Sequence, residues 1–241
     1  MGYCIYLRKG ETHTAPSSGI LASDLAVGDI VKLTESGTSV EYIVVNQGIP
    51  TGGESLYDSS CDGTWLLRKD CYSAMQYNSD YVINYASSNI NTWLNGDFFN
   101  NLGVTEQSVI KQAVIPYCPT MSTVSSGTSG LSTKCFILSQ VEIGWGGYTY
   151  TNDDGAKLDY FIAGATSDAY SKRVAYQNDT ASTVMYWTRS PHKNKNNQVW
   201  IVDGTGNRGN TYPNQTTFYV RPALILPSTA KFDKDTKILK G

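Results

Sequence analysis

Histidine is nearly missing from this 241-residue chain, which holds two, and charged residues make up only 17% of it. His13 lies in a Thr-rich stretch and His192 in an Asn-rich one, and both are expected to be exposed. They are the only histidines, so nucleophile–base catalysis has no strong candidate. Net charge is −2, with Lys and Arg spread along the chain; the densest basic patch, His192-Lys193-Asn194-Lys195, is short. The clustered positive charge that displaces counterions from phosphates is therefore lacking, and nucleic-acid binding is not expected. No apolar run approaches the roughly 18 residues of a membrane helix, so no membrane insertion is expected. The first residues, Met1-Gly2-Tyr3-Cys4-Ile5-Tyr6-Leu7-Arg8, lack a basic start followed by an apolar stretch, so no secretory signal is expected.

Metal and cofactor motifs are lacking too. The five cysteines, Cys4, Cys61, Cys71, Cys118 and Cys135, are odd in number and no pair has C-x-x-C spacing. That argues against a zinc site or redox pair and for buried thiols acting as small hydrophobes; a Cys61–Cys71 bridge stays open. No G-x-G-x-x-G or P-loop pattern is found, and no cofactor is expected. Asn152-Asp153-Asp154-Gly155 lacks the later acidic ligands of a calcium loop and reads as a hairpin turn. The carboxylates are too scattered to nominate a glycosidase pair.

What is abundant is tyrosine, at 17 residues, with five tryptophans and 22 glycines. Such a composition suits a β-rich, turn-rich chain, and Tyr and Trp supply contact area on binding surfaces at low entropy cost. A short strand is expected at Cys4–Leu7. Ile30–Leu33 and Val40–Val45 flank Glu35-Ser36-Gly37-Thr38 and predict a β-hairpin. Trp65–Arg68 is a third strand. The best helix spans residues 88–101: Ser87 or Ser88 can cap it, Ile90, Trp93, Leu94 and Phe98 recur at three- and four-residue steps, and Gly103 ends it. A second helix is expected from Thr105 to Gln112, and a helical turn over residues 81–85. Lys134–Leu138 reads as a buried strand, Ser139–Ile143 as a helical turn, and Met185–Arg189, Val199–Val202 and Val220–Leu226 as strands. One α+β domain is the simplest reading, with residues 1–50 as a semi-separate β module.

Three motifs stand in order: Asn91-Thr92-Trp93-Leu94-Asn95-Gly96-Asp97-Phe98-Phe99, then Tyr186-Trp187-Thr188-Arg189-Ser190-Pro191, then Val220-Arg221-Pro222-Ala223-Leu224. Over residues 24–227 the chain resembles a domain group of gut bacteria and their phages marked by W-L-N-x-x-F, W-x-R-S-P and V-R-P-A-L. Its end also resembles C-type-lectin folds of the formylglycine-generating-enzyme type. The resemblance implies a C-type-lectin-like fold with short twisted antiparallel strands, two helices and long loops. It divides the chain into a strand and linker over 1–23, the domain over 24–227, and a tail over 228–241. The enzymes of that fold use a pair of late cysteines to bind copper; here the last is Cys135, so no enzymatic activity is expected.

The stretch from His192 to Tyr219 is similar to the variable region of proteins diversified by retroelements. There, adenines are replaced at random, and Asn codons of the type AAC yield Tyr, Ser, Asp, His, Thr, Gly and Arg. The Asn-rich segment fits that pattern over about 186–219, while Lys193 and Lys195 do not, because AAC cannot give Lys by changes at its adenines. On composition alone the same stretch is a long polar loop, where Asn and Gly supply left-handed turns. As a binding face it would use Tyr186, Trp200, Tyr212 and Tyr219 as rings, and Asn194, Asn196, Asn197, Asn207, Asn210 and Asn214 as short donors and acceptors. His192 and Arg208 would add directional contacts, while Trp187, Arg189 and Arg221 would serve the scaffold. The expected function is a non-enzymatic binder of a cell-surface protein or glycan, on a phage tail or otherwise extracellular, a homotrimer by resemblance. The alternatives are an undiversified lectin-like module, a cytoplasmic location, and a lectin-fold enzyme.

Overall fold

The computed structural model describes residues 19–178 and 182–240. The strand expected at Cys4–Leu7, Cys4 itself and His13 lie outside them. In chain order the first strands are β1 (Gly19–Leu21), β2 (Ile30–Glu35), β3 (Thr38–Gln47), β4 (Thr64–Arg68), β5 (Ala113–Ile115), β6 (Leu131–Thr133) and β7 (Cys135–Phe136). There follow β8 (Tyr186–Pro191), β9 (Val199–Val202), β10 (Arg208–Thr211), β11 (Ala223–Leu226), β12 (Lys231–Asp233) and β13 (Leu239–Lys240). The helices are short: α1 (Asn89–Trp93), α2 (Phe99–Asn101), α3 (Val104–Val109) and α4 (Ser167–Arg173). The architecture is α+β, and its sheets are antiparallel.

Alternation in β2 turns Val31, Leu33 and Glu35 inward. Ser36 and Gly37 both have positive φ, 47° and 78°, the backbone of a two-residue turn whose twist matches its strands. This hairpin is no separate module: it forms one edge of a five-stranded sheet ordered β2-β3-β4-β11-β7. Every residue of β4 is buried, as expected of a continuous apolar run at the centre of a sheet. Trp65 of β4 meets Tyr57 and Phe136 edge-on, each with ring centroids 5.6 Å apart.

The helix expected over 88–101 is present with one irregularity. Ser88 caps it by accepting a hydrogen bond from the Asn91 amide, and Ile90, Leu94 and Phe98 are buried four residues apart. A π turn over Leu94–Phe98 separates α1 from α2. The second expected helix is α3, which starts one residue before Thr105 and stops at Val109. The turn expected over 81–85 falls instead at Tyr85–Ser87.

The two chain ends also depart from expectation. β1 pairs with β12, and β12 with β13, so the expected linker and tail form one small sheet. Phe232 is fully buried, and Leu239 nearly so. The helix α4 was unexpected: Thr166 caps it, accepting from the Ala169 amide, and Lys172 and Arg173 close its last turn. Cys61, Cys71, Cys118 and Cys135 are free and buried, so no Cys61–Cys71 bridge forms. Burial pushes the Cys61, Cys71 and Cys135 thiols up to about 12, which leaves them unreactive at neutral pH.

Candidate functional site: an aromatic and cationic cleft

The three motifs carry the frame on which the site stands. Asn95 joins helix to sheet: its Oδ1 accepts from the Lys134 and Cys135 amides, and its Nδ2 donates to the Cys135 carbonyl. Trp187 is buried and donates its indole N–H to the Met75 carbonyl at 2.9 Å. Arg221 donates to the Arg68 and Lys69 carbonyls, fastening the β11 entry to β4. Arg189 is fully buried and pairs through two nitrogens with both oxygens of Glu142, while also donating to the Pro116, Ile137 and Asp154 carbonyls. The expectation that Trp187, Arg189 and Arg221 serve the scaffold agrees with these contacts.

Around that ion pair lies a buried polar network. The Tyr57 hydroxyl donates to Glu142, and the Ser190 hydroxyl donates to Asp154 at 2.7 Å. Burial alone would disfavour the Arg189 charge, but the Glu142 carboxylate and its hydrogen bonds outweigh burial and raise its pKa. Burial raises Asp154 to about 6, opposed by the Arg189 charge and the Ser190 hydrogen bond. Asn152, Asp154 and Gly155 are buried and Asp153 is exposed, and the hairpin turn expected over residues 152–155 does not form.

On the outer side, the strands β8, β9 and β10 form a three-stranded ribbon in the order β10-β9-β8. Beside it opens a cleft of about 560 Å³, lined by Tyr148, Tyr150, His192, Asn194, Lys195, Trp200, Arg208 and Asn210. Its wall is a ladder of rings. Tyr150 and His192 stack at 5.4 Å and 22°, and His192 and Trp200 stack at 4.8 Å and 19°. Tyr148 meets Tyr150 and Trp200 edge-on. The Trp200 indole N–H donates to the Tyr150 carbonyl, and the Lys193 amide donates to the same oxygen, so this wall is tied to the ribbon by backbone as well as by rings.

Two cations complete the cleft. The Arg208 guanidinium sits 3.3 Å over the Tyr148 ring and 4.7 Å from the Trp145 ring. The Lys195 ammonium donates to the side-chain oxygens of Gln198 and Asn210. His192 Nδ1 accepts from the Asn194 amide, which places the proton of the neutral ring on Nε2. Burial, and then the Lys195 charge, lowers the His192 pKa, so the ring is neutral at physiological pH.

Residues 62–228 match a family described as Domain of unknown function (DUF6273). The chain belongs to this family. The family segment runs from just before β4 to just past β11 and contains all three motifs and the whole cleft, while the β2–β3 hairpin and the terminal sheet lie outside it. No curated protein and no solved structure matches the chain.

Of the twelve residues expected on the binding face, His192, Asn194, Trp200, Arg208 and Asn210 line the cleft. His192 and Trp200 were expected exposed, yet they are 5% and 3% exposed. They form the cleft wall while belonging to the packed interior, because stacking covers their faces. Tyr186 is buried behind the ribbon and donates its hydroxyl to the Arg173 carbonyl. Tyr219 is half-buried and bridges Tyr186 and Ala74 through its backbone. Tyr212 is exposed but lies edge-on to Tyr81, in a separate patch, and the Asn214 carbonyl accepts from Gln76. Asn196 and Asn197 sit in the β8–β9 loop, and Asn207 closes the β9–β10 turn, its side chain accepting from the Arg208 amide. Sequence reasoning missed Tyr148, Tyr150 and Lys195. The only local signal for the first two is the Tyr-x-Tyr pair just after Gly146-Gly147, and Lys195 does not fit the codon pattern.

Proposed function

We propose that this chain is a non-enzymatic ligand-binding protein of C-type-lectin-like fold whose C-terminal surface is diversified by a retroelement. The observation that carries the reading is how the asparagines are distributed. Asn194, Asn196 and Asn207 are exposed and Asn197, Asn210 and Asn214 half-buried, whereas Val199, Trp200, Ile201, Val202, Gly206, Pro213 and Phe218 between them are buried. Elsewhere the chain does bury asparagine, at Asn46, Asn78 and Asn152. A codon set that changes at random needs positions whose side chains the fold does not use, held on rigid strands. Asn210 lies on β10 and the other five asparagines in the loops and turn that flank the ribbon strands, and the cleft beside them offers rings, amides and cations of the kind used in adaptable recognition.

From the resemblance we extend the proposal to a homotrimer displayed on a phage or prophage tail, or otherwise outside the cell. Among the described residues no helix is long and apolar enough to cross a membrane. A specific observation favours a second reading, an undiversified lectin-like module. The Asn210 side chain is already engaged by Lys195, as in a site built for one ligand.

The DNA beside the gene separates the two. The leading reading expects a near-copy of the codons for about 186–219, differing almost only at adenines, next to a reverse transcriptase gene; its absence leaves the undiversified module. Binding is tested by replacing exposed groups, Tyr150→Ala and Lys195→Gln. These should weaken capture of the target while leaving the melting temperature nearly unchanged. Trp200→Ala is unsuitable for that purpose, since truncating a buried Trp costs about 3–5 kcal/mol.

A further inference from the structure

We infer that the cleft beside the ribbon takes an acidic saccharide, a sugar ring carrying a carboxylate or sulfate. The inference rests on the binding-face reading but not on diversification.

Charge is the first argument. The protein is net negative, yet the eight residues lining the cleft include two cations and no carboxylate. Lys195 donates only to the neutral amides of Gln198 and Asn210. The Arg208 guanidinium makes no hydrogen bond to any acceptor among the described residues; it rests on the Tyr148 and Trp145 rings. A second guanidinium, that of Arg173, lies 4.0 Å from the same Trp145 ring and is fully buried, with its Nη1 unpaired. The nearby acid of the β9–β10 turn, Asp203, commits its Oδ1 to the Thr205 and Asn207 amides and the Thr205 hydroxyl. Positive charge is thus gathered on one side of the cleft without a matching carboxylate in its lining. A guanidinium held over a ring with its N–H groups unused is already placed for an oxyanion, so less ordering entropy remains to be lost when one binds.

The shape of the wall is the second argument. Tyr150, His192 and Trp200 are nearly parallel, and Tyr150 ends the stack with 39% of its surface exposed. Tyr150, the exposed end of this stack, is the ring available to the C–H face of a sugar. Asn194 and Asn210 add amides that can donate to and accept from hydroxyls on the same ligand. At about 560 Å³ the cleft falls within the range of small-ligand sites. His192 is neutral, so the charge that selects the ligand comes from Arg208 and Lys195.

The test uses calorimetric titration of the full chain with four probes: trigalacturonic acid, a sulfated disaccharide, a neutral trisaccharide of matched size, and hexaglutamate. At least one acidic saccharide should bind tenfold or more tightly than both the neutral sugar and the peptide, and its affinity should fall with added salt. The two acidic probes tell carboxylate from sulfate. Arg208→Gln should weaken that binding at least tenfold; Lys195→Gln, at an exposed position, provides the same test should Arg208→Gln lower stability. Binding of neither acidic sugar, equal binding of the neutral sugar, or equal binding of hexaglutamate overturns the inference. A neutral sugar or peptide held in a Tyr150-dependent way would still leave the binding face standing. An acidic sugar whose affinity ignores Arg208, Lys195 and Tyr150 would remove both the inference and the cleft as the binding face.

Discussion

Arg189 and Arg208 lie on the same three-stranded ribbon and are used in opposite ways. Arg189, on β8, is fully buried and divides its donors among the Glu142 carboxylate and three backbone carbonyls. Arg208, on β10, is half-buried, stacks on Tyr148 and Trp145, and keeps its hydrogen-bonding edge unused. One guanidinium is consumed in holding the fold; the other is positioned but left available. The W-x-R-S-P motif contains the first and stops short of the second. The motifs therefore mark the frame, and the ligand-facing chemistry sits between them.

The largest test of this contrast is Arg189→Ala. It leaves Glu142 buried without its counter-charge and should cost about 3–5 kcal/mol in urea unfolding, or prevent folding altogether. Arg208→Ala should cost at most about 1 kcal/mol, the scale of an exposed cation–π contact. Equal losses for the two would erase the distinction.

The next effect is a pH dependence on the buried side alone. Asp154 titrates at about 6 when folded, against 3.8 as its ordinary value. Between those values the native protein holds a proton that the unfolded chain has released, so stability falls as pH rises through this window and stays lowered above it. At 1.36 kcal/mol per unit the contribution is roughly 3 kcal/mol. Asp154→Asn should flatten that part of the stability profile, measured by urea unfolding from pH 4 to 7. A slope unchanged by the substitution would show that Asp154 does not titrate there.

Smaller again is Gly206→Ala. Gly206 has φ +82°, and a Cβ there would run into the Tyr170 carbonyl. The expected cost is about 1–3 kcal/mol. A tolerated alanine would mean that the β9–β10 turn can shift away from α4. Smallest should be Asn196→Ser, within about 0.5 kcal/mol in the same assay, because its side chain is exposed and unengaged. A larger loss would count against a surface free to vary.

Much of the frame could be read locally. Alternation and a Ser-Gly turn announced the β2–β3 hairpin, a serine cap and four-residue spacing announced the helix from Asn89, and Val199–Val202 is a strand as expected. The roles of Arg189 and Arg221 followed from their motifs. What could not be read is of two kinds. Strands β1, β12 and β13 hold two or three residues each, too few for alternation to show, and α4 holds seven, under two turns. The cleft depends on contacts about 40 to 50 residues apart, Tyr150 on His192 and Tyr148 on Trp200, which no local period encodes. Reading Trp200 as an exposed anchor failed for the same reason: its burial comes from rings contributed by a distant segment.

The small sheet made by the chain ends has a mechanical meaning. β12 is its central strand, with β1 and β13 as flanks running parallel to each other. A pull backward on β1 and forward on β13 would slide both along β12. In that direction the hydrogen bonds of each pair share the load instead of opening one after another. A load entering through β1 and β13 would therefore be resisted by both pairings together.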